Sequence, residues 1–251
     1  MDRLLKSTWS AKLEIILVAT LFPLHALWYN FLGRIAALEK VNYERYFQLP
    51  SDTMYPMLPI LSLFYMFVWV YPFILYIYLV VKLWPDYAKF RRIYIGFLVL
   101  ILVSYAIWLA IPNEDTHRIS ESVLLSYGWT GKVTAFVYQV AAIWNSFPSF
   151  HTETVWFCYR LLRVYIKKSH WIALTIVIIT MITVLAIRVH DILDLVGGVL
   201  LAEIVIQLVV KPLENRKAFS KGSHVFWCSL YLAIFVIAVA LKIVLEKILH
   251  I

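Results

Sequence analysis

The segment Arg188-Val-His-Asp-Ile-Leu-Asp194 decides how the second half of the chain folds. It lies near the middle of an almost entirely apolar run, residues 171–211, which would extend roughly 61 Å as one straight helix. A hydrocarbon core is only about 30 Å thick, so the run must fold back on itself. Because this segment carries the only cluster of charge near the middle, we predict a turn there, at one face of a membrane.

The turn segment also contains a candidate site. His190 and Asp194 are four residues apart, so they lie on one face if this part of the second limb is helical. A carboxylate that holds one imidazole nitrogen leaves the other nitrogen available for chemistry. The alternative interpretation is that polar residues gather at any transmembrane turn because water is present there.

Composition excludes most classes of soluble protein. The chain is 63% hydrophobic and only 15% charged, whereas about a quarter of residues are charged in typical soluble domains. We predict one integral membrane domain over residues 1–251, an all-α, polytopic transmembrane helical bundle of six to seven spans. The predicted spans are residues 13–32, 57–84, 93–111, 148–165, 171–187, 189–210 and 225–245.

The distribution of basic residues predicts the orientation of these spans. With seven spans, 15 of the 23 Lys and Arg residues lie on the side of the N-terminus, which the positive-inside rule places in the cytoplasm. The turns that carry Arg118, His151 and His190 then all lie on the opposite, outer side. We attribute the net charge of +8 to contact with anionic lipid headgroups and not to nucleic acid.

A second segment, Asn145-Ser-Phe-Pro-Ser-Phe-His-Thr152, opens another apolar stretch. Pro148-Ser149-Phe150-His151 and His190-x3-Asp194 together resemble two of the three signatures of the type-2 phosphatidic acid phosphatase family, written Pro-Ser-Gly-His and Ser-Arg-x5-His-x3-Asp. Phe150 stands where the family often has Gly. A bulky apolar residue at this position resembles the branch that includes inositol phosphorylceramide synthases and many bacterial homologues. The resemblance covers about residues 105–200.

Two other family positions differ in this chain. The Arg expected six residues before the nucleophile is replaced by Val184, with Thr183 in the Ser position. Arg188, one helical turn further on, is our candidate to supply the missing guanidinium. The third signature, Lys-x6-Arg-Pro, is reduced to residues 111–118, where Arg118 takes the Arg position and no lysine matches.

The resemblance implies a membrane lipid phosphatase whose core, about residues 93–211, is formed by the third to sixth spans. In that family the second His attacks phosphorus, the Asp orients it and the first His protonates the leaving oxygen. These catalytic roles fall on His190, Asp194 and His151. The residues expected to bind the phosphate are Arg118, Arg188 and Ser149. No metal and no cofactor are required.

The implied partner is a lipid phosphate or diphosphate in the membrane, of the isoprenoid diphosphate, phosphatidate or phosphatidylglycerophosphate class. We expect a bacterial cell membrane, with the active site on the extracytoplasmic face. If an alcohol replaces water as the acceptor, the enzyme is a head-group phosphotransferase resembling inositol phosphorylceramide or sphingomyelin synthases.

Two alternatives remain, one for the same polar residues and one for polar residues deeper in the sixth span. His151, Glu153, His190 and Asp194 offer nitrogen and oxygen ligands for a metal ion. In a transporter, Glu203 and Gln207 would line a polar pathway. Independently of function, the equal depth of Arg160 and Glu203 on two spans that run in the same direction predicts an ion pair between them, and Gly197-Gly198 predicts close helix packing.

Overall fold

The computed structural model describes residues 25, 27–35, 49–83, 87–114 and 117–211. The chain divides into two compact units, one formed by Met1–Phe31 with Arg216–Ile251 and the other by Leu32–Asn215. The described residues of the first unit are helical. The predicted span at 225–245 and most of the span at 13–32 lie outside the described residues.

The described part of the second unit consists of helices joined by turns and loops, and its only β-type pairing is an isolated bridge between Asn113 and Asn145. Its α-helices are α1 (Ser62–Leu83), α2 (Tyr87–Ala110), α3 (Glu121–Leu125), α4 (Gly128–Val140), α5 (Phe150–Tyr165), α6 (His170–Ala186) and α7 (Ile192–Val205). Short 3-10 helices occupy Pro50–Thr53, Pro59–Leu61 and Lys167–Ser169, and α7 continues as a π-helix over Ile206–Val210.

Four helical segments among the described residues are long and apolar enough to cross a membrane. They are Pro59–Leu79, Arg92–Ala110, Lys167–Ala186 and Ile192–Val210, and they correspond to the predicted second, third, fifth and sixth spans. The predicted fourth span is α5, which has 16 residues and therefore extends only about 24 Å. Four of the six to seven predicted spans are thus supported by helices of sufficient length and hydropathy.

Two predicted boundaries are wrong. Between the third and fourth spans the sequence predicts an amphipathic segment at residues 133–144, but the helix there, α4, begins at Gly128, whose φ of 65° turns the chain out of α3. Gly131 then lies so close to α3 that a Cβ atom would be 1.7 Å from the Leu124 carbonyl oxygen. Glycines that suggest a loop in the sequence therefore allow two short helices to pack tightly. The second error, at the start of α7, concerns the site itself.

Helix α5 packs against α1, α6 and α7, and its aromatic residues fill the core. Phe157 contacts Phe97 of α2 at a ring distance of 5.8 Å, and both side chains are fully buried. Cys158 is a core residue, buried beside Pro72 of α1. Since α5 carries His151 near its first turn, this packing fixes the helix on which one half of the site depends.

The predicted ion pair between α5 and α7 is present. Arg160 Nε lies 2.9 Å from Glu203 Oε1, and the same oxygen accepts a hydrogen bond from Trp156 Nε1 at 2.8 Å. Gln207 Nε2 donates to the other oxygen of Glu203 at 3.4 Å. The two residues that a transporter would place along a polar pathway are therefore bonded to each other and to neighbouring side chains.

We expect Glu203→Ala to destabilise the protein by about 2 to 3 kcal/mol, because it leaves the Arg160 charge without a counter-charge in a partly buried position. The double variant Arg160→Met/Glu203→Met should recover most of this loss, since it removes both charges at similar volume. Thermal unfolding in detergent micelles measures both effects. A double variant as unstable as Glu203→Ala would contradict this account.

Candidate active site

The first turn of α5 is held against the start of α7. Ser149 is the N-cap of α5, and its hydroxyl oxygen accepts a hydrogen bond from the Thr152 backbone at 3.4 Å. The Ser149 N-H donates to the Asp194 carbonyl at 3.0 Å. At Gly198, a Cβ atom would lie 2.7 Å from the Ser149 carbonyl oxygen, which confirms the predicted close packing. His151 is thereby placed beside the turn that precedes α7.

The predicted turn between α6 and α7 is confirmed, and its first part has the hydrogen bonds of a Schellman motif. The Arg188 N-H donates to the Leu185 carbonyl and the Val189 N-H to the Val184 carbonyl. Arg188 occupies the left-handed position of this motif, with a φ of 55°, where glycine is usual. A bulky residue in this conformation is uncommon and costs energy, which points to a requirement for its side chain.

Helix α7 begins at Ile192, three residues later than predicted, because the chain needs residues 187–191 to reverse direction. Asp191 is the N-cap, and its N-H donates to Asp194 Oδ2 at 3.0 Å. His190 therefore lies in the turn and not on the helix face that we predicted. Its ring still reaches Asp194, because that carboxylate folds back over the start of the helix.

The two histidines and the aspartate form one chain of hydrogen bonds. His190 Nδ1 lies 3.3 Å from Asp194 Oδ2, and His190 Nε2 lies 3.2 Å from His151 Nδ1. All three side chains are buried. Because a carboxylate only accepts hydrogen bonds, His190 donates from Nδ1 to Asp194. The Nε2 of the neutral His190 ring then carries a lone pair, which accepts a hydrogen bond from Nδ1 of His151. This arrangement orients Nε2 of His190 as a nucleophile.

The protonation state of His190 agrees with that role. Burial lowers the pKa of His190 to about 3, the positive charge of Arg118 acts in the same direction, and a backbone hydrogen bond with Ser146 opposes both. The ring is thus neutral at physiological pH. Arg118 lies near enough to affect His190 although its own guanidinium is bonded to the end of α4, donating to the Tyr138, Ala141 and Ala142 carbonyls at 2.8, 3.1 and 3.4 Å.

The position of the missing family Arg is apolar. Val184 is fully buried and packs in a cluster with Ile187, Val189 and Leu195, and the neighbouring Thr183 is also buried. Arg188 lies at the site end of this cluster, two residues before His190, and its Nε has no hydrogen-bond partner in the described part of the chain. The turn thus provides a guanidinium whose buried Nε is available to a ligand.

Sequence reasoning missed two polar residues at this site. Asp52 is fully buried, and its Oδ1 accepts a hydrogen bond from the Ile192 N-H at 3.2 Å, at the start of α7. The Nδ1 atom of His117 lies 2.8 Å from Oδ1 of Asp191. Asp52 belongs to no motif, and His117 precedes Arg118 in the reduced signature at residues 111–118 without occupying a signature position. Each partner is distant in the chain, so the sequence offered no signal for either contact.

Asp191 provides a pH-dependent prediction. Burial raises the pKa of Asp191 to about 6, although the hydrogen bond with His117 lowers it. The folded state therefore favours the protonated acid, so this group's contribution to stability is greatest below about pH 4 and is lost as the pH rises through 6. Asp191→Asn retains a good N-cap without ionising. We expect its melting temperature to exceed that of wild type by roughly 2 to 4 °C at pH 8 and to match it at pH 4.

Thermal unfolding of both proteins across this pH range tests that prediction, with Asp191→Ala as the control that also lacks the charge but loses the cap, so it should be less stable than Asp191→Asn at every pH. A lower melting temperature for Asp191→Asn than for wild type at pH 8 would show that the charged pair with His117 stabilises the turn.

Glu153 does not join the histidines. It is fully buried, and its Oε1 is bonded to Ser104 Oγ of α2 at 2.6 Å. Within residues 49–83, 87–114 and 117–211, no three His, Cys, Asp or Glu side chains are arranged to hold one metal ion. The alternative of a metal site with Glu153 as a ligand therefore has no geometric support in this part of the chain.

Over the residues that the structure describes, the fold and the site define an all-helical protein with segments able to span a membrane, in which Asp194, His190 and His151 form a buried hydrogen-bonded series. A model of the PAP2 superfamily matches residues 30–208, more than two thirds of the sequence and nearly the same residues as the second unit. The chain belongs to the PAP2 superfamily, which confirms the predicted resemblance. Membership supports a function of the phosphatase or phosphotransferase type. No curated protein and no solved structure matches the chain.

Proposed function

We propose that the protein is a membrane lipid phosphatase that hydrolyses a lipid phosphate or diphosphate through a phosphohistidine on His190. The observation that supports this most directly is the hydrogen-bond chain from Asp194 through His190 to His151. It gives one neutral imidazole nitrogen for attack on phosphorus and places a second imidazole beside it for proton transfer. The chemistry of this scheme requires no metal.

In the first step, Nε2 of His190 attacks phosphorus while the bond between phosphorus and the lipid oxygen breaks. The hydrogen bond between the two imidazoles opens, since the phosphoryl group has to lie between them. Asp194 accepts the Nδ1-H of His190 and stabilises the positive charge that develops on the ring. His151, protonated by the phosphate monoanion as it binds, gives a proton from its imidazolium to the leaving oxygen. The lipid departs as an alcohol from a monophosphate and as a lipid phosphate from a diphosphate.

In the second step, water attacks the phosphorus of the phosphohistidine and passes a proton to His151. The bond between phosphorus and Nε2 of His190 breaks, and inorganic phosphate leaves with the proton from His151, so both histidines return to their neutral starting states. Over the two steps, one water is consumed and one ester bond is cleaved, or one anhydride bond when the substrate is a diphosphate.

The cationic groups of the site bind the non-bridging phosphate oxygens in this proposal. Arg118 is held rigidly by three carbonyl groups and the Tyr138 ring, so its charge is fixed near His190 before substrate binds. Arg188 contributes a second guanidinium from the turn, in place of the Arg that Val184 replaces. Ser149 acts mainly through its backbone, which joins α5 to α7.

We further propose that the site faces the outside of a bacterial cell membrane and that the N-terminus is cytoplasmic, on the basis of the distribution of Lys and Arg. In a variant without native cysteines, Ser120→Cys on the site side should react with a membrane-impermeant thiol reagent in intact cells. Lys168→Cys, between α5 and α6, should be protected. Both positions are exposed, so the reverse pattern of labelling would place the site in the cytoplasm.

The proposed function is tested by incubating the purified protein in mixed micelles with phosphatidate, an isoprenoid diphosphate and phosphatidylglycerophosphate, in the presence of chelator and a panel of alcohols. Free phosphate as the main product is the expected result. A new phosphodiester would identify a head-group phosphotransferase, and activity lost on chelation would support a metal site. No release or transfer from any lipid would refute the proposal and favour the transporter, which a liposome flux assay examines.

A further inference from the structure

Two aromatic side chains of α1 lie directly against His151. The ring of Tyr65 is 4.9 Å from the imidazole, and the ring of Trp69 is 5.3 Å from it at an interplanar angle of 85°. Tyr65 and Trp69 are four residues apart, so both lie on the face of α1 that packs against α5. Phe73, one turn further along, contacts Phe97 of α2 instead.

The polar contacts of His151 are insufficient to hold its ring during the reaction. Its Nδ1 has one hydrogen bond, to His190, while its Nε2 is buried and has no hydrogen-bond partner among the described residues. Because the phosphoryl group has to separate the two imidazoles, the hydrogen bond to His190 is lost when substrate binds. The imidazole then depends on ring contacts from α1, a helix that does not carry the nucleophile.

We propose that Tyr65 and Trp69 are positioning residues that hold the His151 imidazole for proton transfer to the leaving oxygen after the phosphoryl group has displaced it from His190. This inference rests on the proposed function. The two rings limit the rotation of the imidazole from the side of α1. They therefore favour the conformation that His151 needs.

A general acid matters most when the leaving group is a strong base. An alkyl phosphate releases an alkoxide, which needs a proton, whereas a nitrophenyl phosphate releases a stable phenolate that does not. A residue that acts only through His151 should therefore affect the first substrate and not the second. A residue that merely supports the fold should affect both substrates equally.

The experiment compares kcat/KM for hexadecyl phosphate and for a 2-nitro-4-alkylphenyl phosphate. We expect Trp69→Leu and Tyr65→Leu to lower activity on the alkyl phosphate by about 10-fold or more and on the aryl phosphate by less than about 3-fold. Trp69→Phe and Tyr65→Phe retain a ring and should stay within about 3-fold of wild type on both. Phe73→Leu is the matched control, since it shortens an aromatic residue on the same helix that packs against Phe97 of α2.

A double-mutant cycle separates positioning from packing. Trp69→Leu/His151→Ala should be no less active on the alkyl phosphate than His151→Ala alone, because both changes remove the same proton transfer. Suppose that His151→Ala lowers activity mainly on the alkyl phosphate, as the proposed function requires. The inference would then be overturned if the Tyr65 and Trp69 variants lost equal activity on both substrates, or if the losses of Trp69→Leu and His151→Ala added up in the double variant. A His151→Ala variant with no such selectivity, or an inactive wild type, would overturn the proposed function and the inference with it.

Discussion

His190→Ala should lower phosphate release by about 10⁴-fold or more, the largest loss expected for any single substitution in this chain. The wild-type protein should accumulate a phosphorylated intermediate when it is quenched in alkali within the first turnover, and the variant should form none. The physical reason is that Nε2 of His190 is the only nitrogen in the Asp-His-His chain that carries a lone pair while its partner nitrogen is held by a carboxylate.

The control for this experiment is His170→Ala, which removes an imidazole at the other end of α6 and should leave turnover unchanged. His151→Ala should still form the phosphorylated intermediate from a substrate with a good leaving group, because the nucleophile remains. If His190→Ala retains turnover within about 10-fold of wild type, the covalent mechanism is wrong even if the protein is a phosphatase.

Arg188→Gly should lower kcat/KM by about 10² to 10³-fold, the usual effect of removing one group that stabilises transition-state charge. The same substitution should maintain or raise stability, by up to about 1 kcal/mol, because glycine adopts the left-handed conformation without strain. Kinetics in mixed micelles and thermal unfolding together measure the two effects. Few substitutions at a packed turn combine a large loss of activity with no loss of stability.

Two further variants at this position separate the side chain from the backbone. Arg188→Ala loses the guanidinium but keeps the strained conformation, so it should match Arg188→Gly in activity and melt at a lower temperature. Arg188→Lys keeps the positive charge but lacks the planar guanidinium that can donate two parallel hydrogen bonds. Its kcat/KM should therefore lie between those of wild type and Arg188→Ala. If Arg188→Gly is as active as wild type, the arginine is not a phosphate ligand and its strain is unexplained.

The features that the sequence predicts well follow from short-range physics. The turn near Arg188 follows from the length of an apolar run and the location of its charges. The pair between Arg160 and Glu203 follows from counting residues down two spans that run in the same direction. The proximity of His151 to His190 follows from two motifs at span ends on one predicted side of the membrane, and it does not depend on the exact start of a helix.

The features that the sequence does not predict depend on backbone conformation or on distant contacts. Hydropathy cannot show that Arg188 takes the place of a glycine, since the same residues suit a helix. Tyr65 and Trp69 look like ordinary aromatic residues of a span near an interface. Asp52 lies in a polar loop with several other charged residues, none of which is distinguished by spacing.

The hydrogen bond between Asp52 and the Ile192 N-H joins residues 140 positions apart in the chain. At a synthesis rate of about 5 to 20 residues per second, the ribosome needs roughly 7 to 28 seconds to make the intervening chain. Asp52 therefore cannot form this hydrogen bond until α7, the last helix of the site, has been synthesised. The start of α7, and with it the orientation of Asp194, becomes fixed only when this late segment of the unit contacts a segment that was synthesised much earlier.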